Sequence, residues 1–326
     1  MYRAVRSFAV PIGAGTLDRA MTAAAQSPRA PAETPAYPVL RHRPAPPAAN
    51  PPLGDEADLR AFVESHPRLF VLTGAGCSTD SGIPDYRDAT GAWKRSSPVE
   101  YVPFMRDPLT RSRYWARSLI GWRSFGVAAP NAAHHALAAL ERSGHVRLLV
   151  TQNVDGLHQA AGSRRVVDLH GRLDAVVCTT CRRVTGRDEW QHELAAVNAS
   201  WVELAAPVAP DGDADLDAAD FAGFRVPDCR DCGGVIKPDV VFFGESVPRE
   251  RHVRAAQALP SCDAVLVAGS SLMVQSGYRH ALAAFRQGLP VVAVNLGRTR
   301  ADPLLALKVE APVGSALPVL ARDLAA

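Results

Sequence analysis

Four short apolar runs alternate with stretches of helical periodicity between residues 68 and 294. The runs are continuous rather than alternating, which is typical of parallel strands buried on both faces of a sheet. Asn131 and Ser276 are predicted to cap two of the helices, which end near Gly144 and Gly288. The pattern predicts an α/β fold, a parallel sheet with helices on both faces, with these strands: Arg68–Thr73, Val146–Thr151, Ala264–Ala268 and Pro290–Val294.

A polar or glycine-rich turn follows each of the four strands. Ligands of parallel α/β sheets bind at the carboxyl ends of strands, so the turns should converge on one crevice. The first turn lets backbone N–H groups approach a phosphate, although it lacks the full G-x-G-x-x-G fingerprint and a plain tight turn is the alternative. The turns are Gly74-Ala75-Gly76, Gln152-Asn153-Val154-Asp155, Gly269-Ser270-Ser271 and Asn295-Leu296-Gly297.

The segment 172–235 interrupts this alternation of strands and helices. It contains four of the six cysteines, in two C-x-x-C pairs. Cys178 and Cys181 are separated from Cys229 and Cys232 by 47 residues. Two such pairs can close one tetrahedral site of four thiolates, which predicts one structural Zn²⁺ per chain. Two independent redox-active pairs are the alternative. The segment is predicted to be a small inserted zinc-binding module with a helix at Asp188–Val197.

Residues 1–54 hold 10 of the 26 prolines and carry a net charge of +4, from six arginines and two acids. This composition predicts a disordered Pro/Arg/Ala-rich extension, either an untargeted tail or a transit peptide. The net charge of the whole chain is +3, which leaves about −1 for the other residues and gives no attraction to nucleic acid. The ordered part of the chain should begin at Asp55, which is predicted to cap the first helix. The main domain is then 55–171 plus 236–326, and the absence of a long apolar run predicts no membrane contact and a cytoplasmic protein.

Seven ordered motifs resemble the sirtuin family over roughly residues 55–322. Gly74-Ala75-Gly76-Cys77-Ser78 leads into Ser81-Gly82-Ile83-Pro84-Asp85-Tyr86-Arg87. His170-Gly171 and the Cys178/Cys181/Cys229/Cys232 set follow the Gln152–Asp155 turn. Lys237–Glu245 reads Lys-Pro-Asp-Val-Val-Phe-Phe-Gly-Glu, and Gly269–Ser271, Asn295–Gly297 and Val313 complete the series. The residue sequences of 238–245 and 269–279 resemble the class II branch of the family. Separately, the scarcity of lysine suggests a GC-rich bacterial genome.

The resemblance implies a Rossmann-like fold and an NAD-dependent protein lysine deacylase that consumes NAD. His170 would be the catalytic base, and Asn153 and Asp155 would orient the ribose and carboxamide. Products would be nicotinamide, free lysine and O-acyl-ADP-ribose. The implied cofactor residues are Gly74, Ala75, Gly76, Ser78, Asp85, Tyr86, Arg87, Gln152, Asn153, Asp155, Gly269, Ser270, Ser271, Asn295, Leu296, Gly297 and Val313. The implied substrate residues for acylated lysine side chains of proteins are Val240, Val241, Phe242 and Phe243.

Two other functions remain open from the residues alone. Mono-ADP-ribosyl transfer would use the same NAD pocket with another nucleophile, and an NAD-sensing protein would bind without turnover. The nine histidines other than His170 are predicted to be structural.

Tyr114 and Arg117 are predicted to bind the acyl group of the substrate. They lie three residues apart on a predicted helix Arg111–Phe125 and resemble a carboxylate-binding pair. The oligomeric state is not predicted.

The alternating acids Asp211, Asp213, Asp215 and Asp217 resemble a calcium loop. The rule for such a loop requires glycine at its sixth position and glutamate at its twelfth. Leu216 and Ala222 occupy those positions. The segment is therefore predicted to be a solvated acidic loop.

Overall fold

The computed structural model describes residues 50–86, 88, 98–204, 213, 214, 216 and 220–324. Most of the predicted extension, together with Arg87, Asp211, Asp215 and Asp217, lies outside the described residues. Ten strands and ten helices are present in the described part. In chain order they are β1 (Leu53–Gly54), α1 (Glu56–Ser65), β2 (Leu69–Thr73), α2 (Tyr101–Arg106), α3 (Pro108–Phe125), α4 (Ala132–Arg142), β3 (Val146–Thr151), α5 (Leu157–Ala160), β4 (Val166–Asp168), β5 (Gly171–Cys178), β6 (Val184–Gly186), α6 (Arg187–Val197), α7 (Ala199–Val202), β7 (Ile236–Val240), α8 (Arg249–Ala258), β8 (Ala264–Ala268), α9 (Gln275–Arg286), β9 (Val291–Val294), β10 (Leu305–Val309) and α10 (Val313–Leu324).

The main sheet has seven parallel strands in the order β1-β10-β9-β8-β2-β3-β4. Helices α1, α4 and α10 cover one face, and α8 and α9 cover the other, so the central strands are buried on both sides. The chain moves outward from β2 in both directions, which creates a topological switch between β2 and β8. A ligand crevice is expected at the carboxyl ends of these two strands. The predicted α/β fold is confirmed.

Helix caps account for where several helices begin. Asp55 accepts hydrogen bonds from the backbone N–H groups of Ala57 and Asp58, and Asn131 caps α4 in the same way. Asp107 caps α3, whose first residue is Pro108, so that helix begins three residues before its predicted start. Ser276 was predicted to cap α9, and this is wrong. The helix begins at Gln275, and the Ser276 hydroxyl is directed to another partner.

The smaller sheet has three antiparallel strands in the order β6-β5-β7. Strand β7 pairs with β5, so it belongs to this sheet, although residues from 236 onward were assigned to the main domain. Helix α3 also joins the small domain, where Trp115 contacts Trp190 at a ring-centroid distance of 5.3 Å. The second lobe is therefore larger than the predicted 172–235 segment because aromatic residues upstream complete its core.

Two other expectations about ordered regions are corrected. Leu53–Gly54 pairs with β10, so the main sheet includes the last two residues of the predicted extension. Asp213 is 1% exposed, so at this residue the prediction of a solvated loop is wrong. The neighbouring Ala214 N–H donates to the carbonyl of Arg117, which ties this point of the loop to α3. No helix within the described ranges is long and apolar enough to cross a membrane.

Candidate active site and zinc centre

The turns after β2 and β8 meet back to back at the sheet's switch point. A Cβ atom added to Gly74 would lie 2.7 Å from Ser270 Oγ, and one added to Gly269 would lie 2.5 Å from the Cys77 nitrogen. Gly269 also has φ +60°, a conformation that favours glycine. The two turns can therefore approach only without side chains, which leaves a crevice walled by backbone. Such a wall suits a pyrophosphate, which is recognised by backbone N–H groups.

A hydrogen-bond network joins the first turn to the Gln152–Asp155 turn. Ser78 Oγ donates to Asp155 Oδ2 at 2.7 Å and accepts from Asn153 Nδ2 at 3.0 Å. Asn153 Nδ2 also donates to the Gly74 carbonyl at 3.0 Å. Three predicted cofactor residues from two separate strands are thus held together by direct contacts. The network presets the Asn153 and Asp155 side chains that the sequence assigns to the ribose and carboxamide.

Two buried histidines contact residues around this network, in the structural role expected of the histidines other than His170. His134 Nδ1 accepts from the Asn131 backbone N–H at 3.3 Å, so its Nε2 carries the hydrogen and faces Ser78 Oγ at 3.5 Å. His158 Nε2 lies 2.9 Å from Thr73 Oγ1. Ligand atoms of Cys77, His134 and His158 lie within 4.8 Å of one another. Since each ring already has a hydrogen-bonding partner, we assign the group to supporting the cofactor turn.

His170 lies two residues after β4 and directly before β5. Its Nδ1 is 2.9 Å from the carbonyl of Gln152, and its Nε2 is 2.7 Å from Ser276 Oγ. A carbonyl oxygen only accepts, so the hydrogen is on Nδ1 and Nε2 presents a lone pair. Burial lowers the pKa of His170 to about 4, opposed by the hydrogen bond to Gln152 and assisted by Arg251 and His252. The ring is therefore neutral near pH 7, as a proton acceptor must be.

The predicted substrate segment runs along the edge of the small sheet. Strand β7 ends at Val240, and the Val241 N–H donates to the carbonyl of His170 at 2.7 Å. Phe242 is buried against Phe104 and Tyr114, with ring centroids 5.0 and 5.3 Å away. Phe243 accepts a hydrogen bond from the Tyr101 N–H. Several backbone groups of this segment are thus used within the chain, while its position places it directly beside the candidate base.

A buried ion pair braces the same segment. Lys237 Nζ donates to the Val240 carbonyl and lies 3.2 Å from Glu245 Oε2. The Glu245 carboxylate also accepts the Phe242 N–H at 3.0 Å. Burial lowers the pKa of Lys237, while Glu245 opposes the shift. The two ends of the Lys237–Glu245 motif therefore close on each other and hold the intervening residues in a fixed loop.

Other predicted cofactor residues lie after β9, at the start of α10 and in the loop after β2. Asn295 and Gly297 follow β9, Val313 begins α10, and Leu296 is exposed. A Cβ atom on Gly314 would lie 2.1 Å from Asp80 Oδ2, so the start of α10 closely approaches the first cofactor loop. Asp85 and Tyr86 are half-buried in that loop. Arg87, predicted to contact phosphates, lies outside the described residues.

The four cysteines of the two C-x-x-C pairs lie together in one cluster. Cys178 Sγ is 3.5 Å from Cys232 Sγ, and Cys181 Sγ is 3.7 Å from Cys229 Sγ. A tetrahedral site with zinc–sulfur bonds of about 2.3 Å has sulfur–sulfur edges of roughly 3.8 Å. The sulfur positions therefore fit Zn²⁺ and are too long for disulfide bonds of about 2.05 Å. Backbone N–H groups, first that of Cys181, lower the pKa of Cys178 to about 6, which favours a thiolate ligand.

The two C-x-x-C pairs form knuckles of the same shape. In the first, the Arg182 N–H donates to the Cys178 carbonyl, and in the second, the Gly233 N–H donates to the Cys229 carbonyl. The residue after each second cysteine has a left-handed backbone, with φ of 64° at Arg182 and 69° at Gly233. The matching geometry brings all four thiols to one point. Cys77 and Cys262 are buried elsewhere, in the two hydrophobic clusters that flank the main sheet.

Comparisons with known proteins agree with this arrangement. The Sir2 family model matches residues 74–276. An NAD-dependent protein deacetylase of Bordetella bronchiseptica is 61% identical over 265 residues, covering 81% of this chain and 97% of the relative. One of Xanthomonas campestris is 63% identical over 262 residues, covering 80% and 89%.

The chain belongs to the Sir2 family.

Solved structures of the Sir2 family extend the likeness to three dimensions. The crystal structure of a Sir2 homolog–NAD complex has a TM-score of 0.65 at 31% identity, covering 85% of this chain and 96% of that one. A complex described as Sir2, p53 peptide and NAD+ has a TM-score of 0.63 at 28% identity, covering 83% and 98%. The family resemblance inferred from the sequence motifs is thus confirmed.

Tyr114 and Arg117, the pair predicted to bind the acyl group, have different neighbours in the structure. Tyr114 lies against Phe242 of the substrate segment, but the Arg117 Nε donates to the Ala214 carbonyl at 2.8 Å. A register shifted by one residue would pair Trp115 with Ser118 instead, but Trp115 is fully buried and Ser118 accepts a hydrogen bond from Arg187. Tyr114 therefore packs against the predicted substrate segment, while Arg117 contacts the loop at 213–214.

Buried neutral histidines give the protein a specific response to acid. Burial lowers the pKa of His134 to about 4 and that of His158 to about 3. The unfolded chain takes up these protons near pH 6.5, so the unfolding free energy should fall as the pH decreases from about 6.5 toward 4. Each extra proton bound by the unfolded state costs about 1.4 kcal/mol per pH unit.

Replacing His158 with asparagine should reduce that slope by up to about 1.4 kcal/mol per pH unit. Urea unfolding of the zinc-loaded protein at several pH values measures it, and other titrating groups cancel between variants. The exposed His192→Asn variant is the matched control and should retain the full slope. Equal slopes for His158→Asn and wild type would show that His158 is not kept neutral by the fold.

Proposed function

We propose that this chain is an NAD-dependent protein lysine deacylase of the class II type. The observation that carries the proposal is the position of His170: its Nδ1 contacts the Gln152 carbonyl, its backbone carbonyl accepts from Val241, and its Nε2 is unprotonated. A base at the junction of a cofactor crevice and a substrate edge suits a reaction between the two. The deacetylase names of relatives at 61% and 63% identity support the same activity.

Different residues would bind NAD, orient its ribose and carboxamide, and accept the proton. The backbone-walled turns at Gly74 and Gly269 would hold the NAD phosphates, and the Asn153–Ser78–Asp155 network would orient the ribose and carboxamide. Bound NAD would supply an electrophilic ribose carbon with nicotinamide as its leaving group. His170 Nε2 would take a proton from a ribose hydroxyl, which is general-base catalysis by a correctly positioned imidazole. Products would be nicotinamide, free lysine and O-acyl-ADP-ribose.

The protein substrate would lie beside Val240–Phe243. The loop held by Lys237 and Glu245 offers a fixed edge for an extended peptide, a sequence-tolerant mode of recognition. Tyr114 and Phe242 form an aromatic wall next to that edge, which suits the aliphatic stem of an acylated lysine. The Cys178/Cys181/Cys229/Cys232 cluster would hold one structural Zn²⁺ that maintains the small domain.

A single experiment separates the proposal from its alternatives. Purified protein is incubated with NAD and a panel of acetyl-, longer acyl- and glutaryl-lysine peptides. Formation of O-acyl-ADP-ribose with free lysine supports the deacylase. Transfer of labelled ADP-ribose to protein would instead indicate a mono-ADP-ribosyltransferase, and NAD binding without nicotinamide release would indicate a sensor.

The choice of acyl group is tested at Arg117. If its guanidinium binds an acidic acyl group, Arg117→Met should lower the ratio of glutaryl to acetyl turnover by about tenfold to a hundredfold, because a charge-assisted contact of roughly 1.5–3 kcal/mol is lost for one substrate only. The measurement is kcat/KM on both peptides. Exposed Arg113 on the same helix provides the matched control, Arg113→Met. Equal losses on both peptides would mean that Arg117 only braces the Ala214 loop.

A further inference from the structure

The side chain of Ser276 occupies the reactive nitrogen of His170. Its Oγ lies 2.7 Å from His170 Nε2, while His170 Nδ1 lies 2.9 Å from the Gln152 carbonyl. Since Nδ1 must carry the hydrogen, the Ser276 hydroxyl is the donor to Nε2. The imidazole is thus held at both nitrogens, with its lone pair directed at a hydroxyl group.

The two hydrogen bonds that hold the His170 ring are here called the clamp, and the Gln152 side of the clamp belongs to the predicted cofactor turns. Gln152 Nε2 donates to the Thr73 carbonyl at 3.1 Å and to Ser270 Oγ at 2.8 Å, so it is fixed to the ends of β2 and β8. Next to Ser276, a Cβ atom on Gly277 would lie 2.4 Å from Gln152 Oε1. The first turn of α9 therefore presses directly on Gln152. One residue holds Nδ1, and the helix packed against it holds Nε2.

A strained backbone delivers α9 to this position. Leu272 is buried with φ +51°, a left-handed conformation that residues other than glycine rarely adopt. Ser270 Oγ accepts the Leu272 N–H at 3.2 Å and stabilises the turn between β8 and α9. Such strain persists only where surrounding contacts over-determine it, and it clusters at functional sites. The turn brings Ser276 to the base rather than to the end of its own helix.

We propose that Ser276 is a positioning residue for His170, which fixes the imidazole with an unprotonated Nε2 and marks the place that a substrate hydroxyl takes over. This inference rests on the proposed function, because it assigns the ribose hydroxyl as the group that replaces Ser276. A hydroxyl already donating to Nε2 has the same chemistry as the incoming one. The exchange therefore replaces one hydrogen bond with another and leaves the ring orientation unchanged.

The Ser276 hydroxyl donates to the neutral ring and can accept from the protonated ring, so its loss removes a hydrogen bond from both forms of His170. Other charged groups near the ring come from α8 and the neighbouring strands. Arg251 and His252 lie on α8; Arg251 Nη1 donates to the Leu169 carbonyl at 3.5 Å, and its Nη2 is 3.9 Å from Asp239. Asp168, at the end of β4, accepts two hydrogen bonds from Gln159. None of these contacts involves Ser276, so a Ser276 variant changes only the clamp.

The test compares Ser276→Ala with Ser276→Thr, which keeps a hydroxyl. In nitrogen-15 NMR of labelled imidazoles, wild type and Ser276→Ala should both show His170 protonated at Nδ1, because the Gln152 carbonyl holds that hydrogen, whereas the Nε2 resonance should shift in Ser276→Ala because this nitrogen loses its hydrogen-bond donor. The acid limb of kcat/KM against pH should move by about 0.5–1 pH unit in Ser276→Ala, because the hydrogen bonds to the neutral and the protonated ring differ in strength. Ser276→Thr should keep the wild-type profile, and so should Ser143→Ala, a serine at the end of α4 remote from the crevice.

Different outcomes would contradict the role of Ser276 and the proposed function. An unchanged Nε2 resonance and an unchanged acid limb in Ser276→Ala would overturn the assignment of Ser276. A wild-type protein that removes no acyl group from any peptide would overturn the proposed function, and the NMR comparison would still test the clamp. Movement of the acid limb in Ser143→Ala as well would also overturn the assignment, because the effect would then be unspecific.

Discussion

Replacing His170 with alanine is expected to lower the rate of deacylation by about 10²–10⁴-fold, the usual contribution of a general base. NAD affinity should change little, because the turns at Gly74 and Gly269 that we propose to hold the phosphates, and the Asn153–Asp155 network, lie on other segments. The loss should therefore fall on kcat rather than on binding. Single-turnover formation of O-acyl-ADP-ribose, together with calorimetric titration of NAD, measures both quantities.

A matched control is available for this variant. His192 is an exposed histidine on α6, remote from the crevice, and His192→Ala should deacylate like wild type. Wild-type turnover by His170→Ala would show that another group is the base. A collapse of NAD affinity in the same variant would assign His170 to cofactor binding rather than to proton transfer.

Loss of any cysteine of the zinc cluster is expected to unfold the small domain. Structural zinc sites carry roughly 10–16 kcal/mol of apparent binding free energy, and in such modules this is folding free energy. Cys181→Ser should therefore lose its zinc. It should also lose the packing of Trp115 on Trp190, which lies in the core of the same domain. Metal analysis gives the zinc content, and tryptophan fluorescence reports the packing.

Cys262→Ser provides the control, because Cys262 is buried against α8 and takes no part in the cluster. It should keep one zinc per chain. A folded and active wild-type preparation without zinc would contradict the structural role of the site. Full zinc content in Cys181→Ser would contradict the four-thiolate ligand set.

The two predictions concern different lobes that meet at one point. His170 lies between β4 of the main sheet and β5 of the small sheet, and Gly171 begins β5 with φ +84°. A Cβ atom there would lie 2.0 Å from the Asp239 carbonyl oxygen, so only glycine lets β7 pass so close to the base. Zinc, by maintaining the small sheet, would thus hold the substrate segment against His170. Loss of zinc should impair turnover even though no zinc ligand belongs to the NAD crevice.

The amino-acid sequence by itself determined four of the seven strands of the main sheet and the turns that follow them. Continuous apolar runs of five or six residues followed by glycine or polar turns predicted β2, β3 and β8 within one residue. The signal is local, because burial on both faces requires an apolar residue at every position of a strand. Spacing predicted the four clustered cysteines for a similar reason, since a knuckle is a local turn. Asp55 and Asn131 were recognisable as caps because each binds N–H groups two or three residues away.

Only the tertiary structure decided which segments meet. Ser276 looks like a helix cap by composition, yet its hydroxyl reaches a histidine 106 residues earlier. Strand β7 pairs with β5 rather than entering the main sheet, and Asp213 is buried because Ala214 pairs with Arg117. Periodicity describes how a segment presents its own faces and carries no information about which distant partner covers them. Contacts between such partners form on folding, and they decide that His134 supports Ser78 and that Ser276 holds the candidate base.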